Sequence, residues 1–328
     1  MPKSPNQKLK LLYLFRILHE KTDENHSLTM SQIIDELGRY GISAERKSIY
    51  DDLEALRVFG VDIACIRSKN VSYCIAGRGF ELPELKLLAD AVASSKFITE
   101  KKSEELIRKI GSLTSVYEAA QLRRQVYVSG RVKTMNEKIY YNVDKIHQAI
   151  ARNRQISFRY FEYTVEKEKR YRNDGEDYTA SPFALSWDDE YYYLIALYDK
   201  RPNLSHFRVD KMECIEILEE NRSPLPDGKQ FNPAEYSRKV FNMFGGEEER
   251  IRLKFDNSLI GVVLDRFGKD VMVMREGEHS FIVTVDALIS PPLLGWLFSF
   301  GDKVKVLSPE SLAEMMRDCA SKCASRYT

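Results

Sequence analysis

A group of side chains able to contact nucleic acid stands at the start of one predicted helix: Arg46, Lys47, Ser48 and Tyr50. Ser43 can cap this helix, which the apolar spacing places at roughly 44–59. Arg and Lys in the first turn of such a helix can reach guanine O6 and N7 in a major groove, and hydroxyls can bond bases or phosphates. The same residues also fit a solvated basic turn beside the acidic Asp51 and Asp52.

Two further cations, Arg67 and Lys69, lie in or beside a polar turn between short strand-like runs at 62–66 and 72–75. A flexible cation at the tip of a hairpin needs only to approach negative charge, so both side chains could contact phosphates or the minor groove. Taken alone, they are equally well explained as solvated turn residues. With the helix at 44–59 they would complete a DNA-binding surface.

A second group of polar and basic residues lies far along the chain: Tyr160, Tyr193, His206, Arg208 and Lys211. Side chains on a strand repeat every two residues, so His206 and Arg208 should share one face. The group could bind a phosphate or another anion through charge-assisted hydrogen bonds. The alternative is that Arg208 pairs with Asp210 or Glu190 while His206 packs against tyrosines.

The elements that must position the first group are short helices and a hairpin. An apolar stripe of Leu11, Leu14, Phe15 and Leu18 predicts a helix at about 6–20. Thr29 and Gln32 have the spacing of a capping box at the start of a second helix, and the helix at 44–59 is the third. Helix, helix, turn, helix and hairpin is the order of a winged helix-turn-helix, which we assign to residues 1–78.

Four further segments follow from changes in the pattern. Residues 79–138 read as a helical linker and dimerisation region, and residues 139–220 as β-strands of a small barrel or sandwich. The Pro-, Gly- and acid-rich residues 221–248 read as a connector. Residues 249–328 have a βαββαβ order, which predicts a ferredoxin-like domain. The predicted fold class is therefore multidomain α+β.

Composition narrows the class of protein. The 328 residues are 43% hydrophobic and 30% charged, which is typical of folded domains. The apolar stretch 288–300 contains prolines and falls short of the ~20 residues that a spanning helix needs. The first ten residues lack the apolar core of a secretory signal. We therefore expect a cytoplasmic protein with no membrane partner. Because the net charge is only +1, the overall charge gives no sign of nucleic-acid binding, and the prediction of DNA binding depends on the local arrangement of residues.

The cysteines and the missing motifs argue against catalysis. Five scattered cysteines fit reduced thiols rather than a disulfide framework. Cys319 and Cys323, one helical turn apart, could share a metal or form a redox pair, although helix packing is the simpler explanation. Walker-type, H-E-x-x-H, G-x-S-x-G and dinucleotide glycine motifs are all absent from the sequence. We therefore expect no enzyme, no metal and no cofactor.

Three stretches of the chain together carry a family resemblance. Residues 43–63, SAERKSIYDDLEALRVFGVDI, are similar to the recognition helix and following strand of bacterial helix-turn-helix regulators of the WYL-domain family. Residues 181–200 and 204–212 resemble the WYL domain itself, with Tyr192, Tyr193 and Leu194 where the family usually has Trp-Tyr-Leu. Residues 249–328, which include LLGWLFSFGDKVKVLSPESL at 293–312, resemble the C-terminal extension that follows many WYL domains. The resemblance implies a small SH3/Sm-like β-barrel whose ligand surface includes the second group of residues.

The sequence therefore predicts a ligand-responsive transcriptional regulator that binds palindromic, double-stranded operator DNA as a homodimer. The expected effector is single-stranded nucleic acid, a nucleotide or another anion. A different hypothesis is a nucleic-acid- or nucleotide-sensing module in which the barrel is the main binding site. An enzyme is the third possibility, and the missing catalytic motifs weigh against it.

Overall fold

The computed structural model describes residues 7–122, 139–201, 203–226, 228 and 230–327. The chain divides into two compact units, Met1–Glu137 and Lys138–Thr328. Across the described residues, no helix combines the length and apolar character that a membrane crossing requires.

The first unit begins with helices around a small sheet: α1 (Lys10–Lys21), β1 (Leu28–Thr29), α2 (Met30–Arg39), α3 (Arg46–Phe59), β2 (Ile63–Arg67) and β3 (Val71–Ile75). The strands are antiparallel in the order β1-β3-β2. Apolar side chains from all three helices and from the hairpin form one buried cluster. In α1 the buried residues include Leu14, Ile17 and Leu18, whereas Phe15 is 37% exposed. The buried face of the helix therefore includes Ile17 in place of the predicted Phe15.

The helix boundaries follow from local capping. Thr29 and Gln32 form the predicted capping box at the start of α2. The third helix begins at Arg46, two residues later than predicted, because the backbone is still extended at Glu45, its N-cap. Ser43 is therefore not the cap. Gly60 ends α3 in the left-handed conformation, with φ of +104°, which favours glycine.

Three more helices complete the described part of the first unit: α4 (Leu82–Ser94), α5 (Glu100–Gly111) and α6 (Val116–Leu122). They pack on one another, and α6 also contacts α1. The buried Asp23 carboxylate, which follows α1, accepts hydrogen bonds from the Ser115 hydroxyl at 2.5 Å and from the Asn25 amide at 2.9 Å. The linker predicted at 79–138 is thus helical to Leu122, and 123–138 lie outside the described residues.

The second unit begins with a helix and an antiparallel sheet: α7 (Ile139–Ala151), β4 (Arg154–Tyr163), β5 (Lys169–Tyr171), β6 (Tyr178–Asp188), β7 (Tyr191–Tyr198), β8 (Leu204–Arg208) and β9 (Met212–Asn221). The strand order is β5-β4-β6-β7-β8, and β9 also pairs with β4. Asn142 of α7 donates a hydrogen bond to the Met212 carbonyl at 2.9 Å, which ties the helix to the sheet.

A connector with one short helix, α8 (Pro233–Lys239), leads to the last domain: β10 (Glu248–Asp256), α9 (Ile260–Phe267), β11 (Val273–Glu276), β12 (Ser280–Leu288), α10 (Pro291–Phe298), β13 (Val304–Ser308) and α11 (Glu310–Ala324). Its antiparallel sheet has the order β11-β12-β10-β13, and helices pack against one face around a buried apolar core. The chain is therefore a mixed α+β protein with helices dominating the first unit and sheets the second.

Candidate functional site

The first turn of α3 carries exposed cations. Arg46 and Lys47 are both exposed. The Nε of Arg46 donates a hydrogen bond to the Tyr50 hydroxyl at 3.1 Å, and its guanidinium lies 5.9 Å from the centre of that ring. Within the described residues the Lys47 ammonium has no partner. Tyr50 also makes an edge contact with the Tyr73 ring of β3, with centroids 6.4 Å apart. Lys47 is therefore the cation in this turn most available to an outside anion.

Ser48 has a different environment from its neighbours. Its half-buried hydroxyl accepts a hydrogen bond from Lys10 of α1. The same Lys10 ammonium lies 2.7 Å from a carboxylate oxygen of Asp52. The sequence placed Ser48 among the nucleic-acid contacts, whereas the structure engages it between α1 and α3. The sequence analysis missed Lys10, because 38 residues separate it from Ser48.

The β2–β3 hairpin presents the other predicted cations. Arg67 ends β2 opposite Val71, and Lys69 lies in the turn. Both side chains are exposed, and within the described residues neither forms an ion pair. The Ser68 hydroxyl donates to the Asn70 carbonyl at 3.2 Å, which stabilises the turn between the strands. The hairpin therefore offers two cations to a negatively charged partner.

In the second unit, a cleft of about 970 Å³ is lined by every residue of the second predicted group: Tyr160, Tyr193, His206, Arg208 and Lys211. The β7–β8 pairing places Tyr193 opposite Arg208. A segment just before β10, residues 243–247, also lines the cleft. This segment passes very close to the C-terminal domain, since a Cβ atom on Gly246 would lie 2.0 Å from the Ile289 carbonyl oxygen.

Arg208 is held in place by three contacts. Its guanidinium donates to both carboxylate oxygens of Asp210, at 3.0 and 2.7 Å, and lies 3.6 Å from the centre of the Tyr191 ring. Burial opposes the charge, but the Asp210 carboxylate raises the pKa of Arg208 above its ordinary value. The pairing with Asp210 is the alternative that the sequence left open, and the guanidinium still lines the cleft with 26% of the side chain exposed.

His206 does not supply a positive charge. One ring nitrogen lies 3.0 Å from the Tyr236 hydroxyl, in hydrogen-bond contact. Burial lowers the pKa of His206 to about 4, so the ring is neutral near pH 7. A neutral imidazole ring can still form a hydrogen bond with a ligand. Arg208 therefore supplies a positive charge to the cleft, whereas His206 supplies a neutral ring.

The phenols and Lys211 complete the polar lining. Burial raises the pKa of Tyr193 to about 12, so that its hydroxyl keeps its proton and remains a hydrogen-bond donor. The Tyr160 hydroxyl accepts a hydrogen bond from the Arg208 amide at 3.3 Å. Burial lowers the pKa of Lys211, and the neighbouring positive charge of Arg208 lowers it further. An anion bound near Lys211 and Arg208 would relieve the repulsion between these two cations.

Two cations in the cleft were missed by the sequence analysis. Arg172 lies before a turn that follows β5, and Arg201 lies in the loop between β7 and β8. Both are exposed. The only signal in the sequence was their position in turn clusters beside strands, which is common to many solvated residues. The sheet order brings them to the same opening as Arg208, which raises the number of cations there.

Comparison with known families assigns the two parts of the second unit. Residues 141–217 match the WYL domain, and residues 247–324 match the WCX domain. The chain is a WYL-domain protein.

Two of the solved structures that are similar to this WYL-domain protein share less than a fifth of its residues. One is proteasome accessory factor B/C (PafBC) of Arthrobacter aurescens, at 19% identity and a TM-score of 0.30; the match covers 94% of this chain and 47% of that one. The chain thus spans about half the length of that protein. A CRISPR Cas-related protein matches at 17% identity and a TM-score of 0.36 over 75% of this chain and 71% of that one. No curated protein matches the sequence.

The matches divide the lining of the cleft between three parts of the WYL-domain protein. Tyr160, His206 and Arg208 belong to the matched WYL region, and Glu247 is the first residue of the WCX match. Residues 243–246 lie between the two matches. A ligand in the cleft would therefore touch both domains and the connector that joins them.

Proposed function

We propose that this WYL-domain protein is a ligand-responsive, DNA-binding transcriptional regulator. The observation that carries the proposal is that one chain combines an exposed group of cations on α3 and the β2–β3 hairpin with a separate cation-lined cleft in its WYL domain. The first group suits a DNA duplex, and the cleft suits an anionic effector. The effector class is single-stranded nucleic acid, a nucleotide or another anion.

In this proposal, residues 1–78 form a winged helix-turn-helix. Support comes from the element order α1, α2, α3, β2 and β3, with the short β1 joining the hairpin to make a three-stranded sheet. Helix α3 would enter the major groove, where Arg46 and Lys47 reach base edges. Arg67 and Lys69 of the hairpin would contact phosphates or the minor groove. Tyr50 would support Arg46 rather than read a base itself.

We propose that the remaining segments transmit and receive the signal. Residues 79–138 would link and dimerise, residues 139–220 would form an SH3/Sm-like sensing barrel, and residues 221–248 would connect it to a ferredoxin-like domain at 249–328. The sheet order β11-β12-β10-β13 within a βαββαβ sequence supports that last assignment. A homodimer would place two α3 helices one DNA turn apart on a palindromic operator. We further propose that the protein acts in the cytoplasm and binds its effector without catalysis.

The proposal is tested by selecting DNA sequences from a random duplex library with the full-length protein. The selected duplex should contain two related half-sites about one turn, or a multiple of it, apart. Binding should be weakened by Lys47→Ala and unchanged by Arg152→Ala, which removes an exposed cation from the second unit. Failure to enrich any duplex, or equal binding by both variants, would contradict DNA recognition by α3.

A second candidate is a nucleic-acid-sensing module whose main site is the cleft, and the concentration of cations and phenols there favours it. The full-length protein would then bind single strands more tightly than any duplex. Arg201→Ala would weaken that binding, while Lys47→Ala would leave it unchanged. If instead Lys47→Ala weakens binding to a selected duplex and Arg201→Ala does not, the result supports the transcriptional regulator.

A further inference from the structure

A second cavity adjoins the cleft and is formed largely by the connector. It has a volume of about 510 Å³. The two cavities share part of their lining, namely Asn203, Leu204, Gly245, Gly246 and Glu247. We call the second cavity the connector pocket. Because both cavities open along the same residues, one ligand of nucleotide size can reach from the first into the second.

The connector pocket differs from the cleft in its charge. Lys239 lines it, but its ammonium is paired with Glu235 and Glu248, at 2.8 Å from each carboxylate. Glu247 also lines the pocket. An anionic group would gain little from this paired cation and would be repelled by the carboxylates. The pocket therefore suits the uncharged part of a ligand whose anionic part lies in the cleft.

Aromatic rings give the connector pocket a surface for a planar group. Phe231 and Tyr236 both line it, with ring centroids 5.3 Å apart. Phe231 also contacts Phe183 of β6, at 5.7 Å between centroids, which anchors the connector on the WYL sheet. A base or another aromatic ring can stack on such side chains because every base has a π-face.

Amide side chains supply hydrogen bonds at the same place. Asn203 and Gln230 line the pocket, and within the described residues neither side chain makes a hydrogen bond. The side-chain oxygen Oδ1 of Asn232 accepts from the Ala234 and Glu235 backbone amides, at 3.1 and 3.3 Å, which leaves the side-chain NH₂ group as a donor. Amides can both donate and accept, so they can read the edge of a heterocycle.

One contact between the two cavities joins two uncharged side chains. The Tyr236 hydroxyl, in the connector pocket, is bonded to the ring of His206, in the cleft, at 3.0 Å. Most of the residues that line the connector pocket, among them Phe231 and Tyr236, lie between the matched WYL and WCX regions. A ligand would thus be anchored by the WYL domain and distinguished mainly by side chains of the connector.

We propose that the connector pocket is a second ligand subsite, which takes the planar, uncharged heterocycle of an effector whose phosphate lies in the cleft. The proposal rests on the anionic effector of the proposed function and adds the part of the molecule that sets specificity. Phe231 supplies the stacking surface. Gln230 and Asn203 discriminate between heterocycle edges.

The test is isothermal titration calorimetry of the full-length protein with the four nucleoside 5′-monophosphates and with ribose 5-phosphate. In the wild type, at least one nucleotide should bind about tenfold more tightly than ribose 5-phosphate, which is in the range of one base stacked on an aromatic ring. Phe231→Leu keeps apolar volume without a ring and should reduce that ratio to about one, while leaving ribose 5-phosphate affinity unchanged. Gln230 is exposed, and Gln230→Ala should change the order of affinity among the four nucleotides.

Variants in the cleft separate this subsite from the site on which it depends. Arg201→Ala should weaken nucleotides and ribose 5-phosphate by the same factor. Equal wild-type affinity for both kinds of probe, or a ratio unaffected by Phe231→Leu, would overturn the subsite and leave the anion site standing. Binding of neither probe by the wild type would overturn both the subsite and a phosphate effector, without touching DNA recognition by α3.

Discussion

The Lys10 ammonium of α1 lies 2.7 Å from the Asp52 carboxylate of α3, and the two side chains are only 11% and 19% exposed. The same ammonium donates to the Ser48 hydroxyl. This contact fixes the start of α3 against α1 from the side opposite its exposed cations. A helix that offers Arg46 and Lys47 to an outside partner is therefore held by a buried cation from another helix.

Loss of this ion pair should destabilise the protein. Lys10→Met leaves the Asp52 carboxylate without its partner, and we expect the free energy of unfolding to fall by about 2 kcal/mol. Urea denaturation followed by circular dichroism would measure it. The double variant Lys10→Met/Asp52→Leu should recover part of the loss, because no unpaired charge remains. A double variant as unstable as the single one would argue against the ion pair as the cause.

Truncation of Lys47 should weaken specific DNA binding without affecting the fold. The side chain is exposed and contributes no core atom, so Lys47→Ala should cost about 1 to 3 kcal/mol of binding energy if it contacts a base. Fluorescence polarisation on a selected duplex gives the affinity, and thermal unfolding checks the fold. Ser48→Ala is the companion variant, and it should lower stability rather than discrimination between sequences. If the Lys47→Ala variant bound the duplex as tightly as the wild type, Lys47 would not be part of the DNA interface.

DNA binding should fall steeply as salt increases, because phosphate contacts release counterions. Arg67→Ala and Lys69→Ala should each reduce the slope of log K against log salt by about one if the side chain contacts a phosphate. Titrations at several ionic strengths provide the slopes, with Arg152→Ala as the control for lost charge. A flat response in the wild type would count against DNA as the partner.

Acid should destabilise the second unit through His206. Burial lowers the pKa of His206 to about 4, below its ordinary value of 6.5, so the unfolded chain binds the extra proton first. This contribution to stability is complete above about pH 6.5 and is lost as the pH falls towards 4; it is of order 3 kcal/mol. Both tryptophans, Trp187 and Trp296, lie in this unit and report its unfolding. His206→Gln should flatten the dependence between pH 6.5 and 4, and an unchanged slope would refute the assignment.

Arg208→Ala should abolish the response to effector and leave basal operator affinity within a few-fold of the wild type. A ligand changes DNA affinity only through its unequal binding to two states, a coupling of about 1 to 3 kcal/mol. Operator titrations with and without nucleotides or short single-stranded DNA measure the response. Arg159→Ala is a matched control, since this exposed arginine pairs with Asp177. If the effector changed the operator affinity of Arg208→Ala as much as that of the wild type, Arg208 would have only a structural role, paired with Asp210.

The sequence by itself determined the local structure of the protein. The capping box of Thr29 and Gln32 formed as predicted, because its contacts span three residues. Ile49, Leu53 and Leu56 are buried at helical spacing in α3, and Gly60 ends the helix. The WYL and WCX matches agree with the family resemblance of residues 181–212 and 293–312. Short-range contacts and repeating apolar patterns carry this information within a few residues.

Only the tertiary structure decided which side chains are available and which share a site. Lys10, 38 residues away in the sequence, donates a hydrogen bond to Ser48, so Ser48 does not share the exposure of Arg46 and Lys47. The order of the strands brings Arg172 and Arg201 to the opening of the cleft beside Arg208. Burial decides that His206 is neutral, although its residue type suggested a possible charge. The connector contributed Phe231 and Tyr236 to a pocket that no spacing indicated. These outcomes depend on desolvation and on contacts between distant segments, which no local pattern encodes.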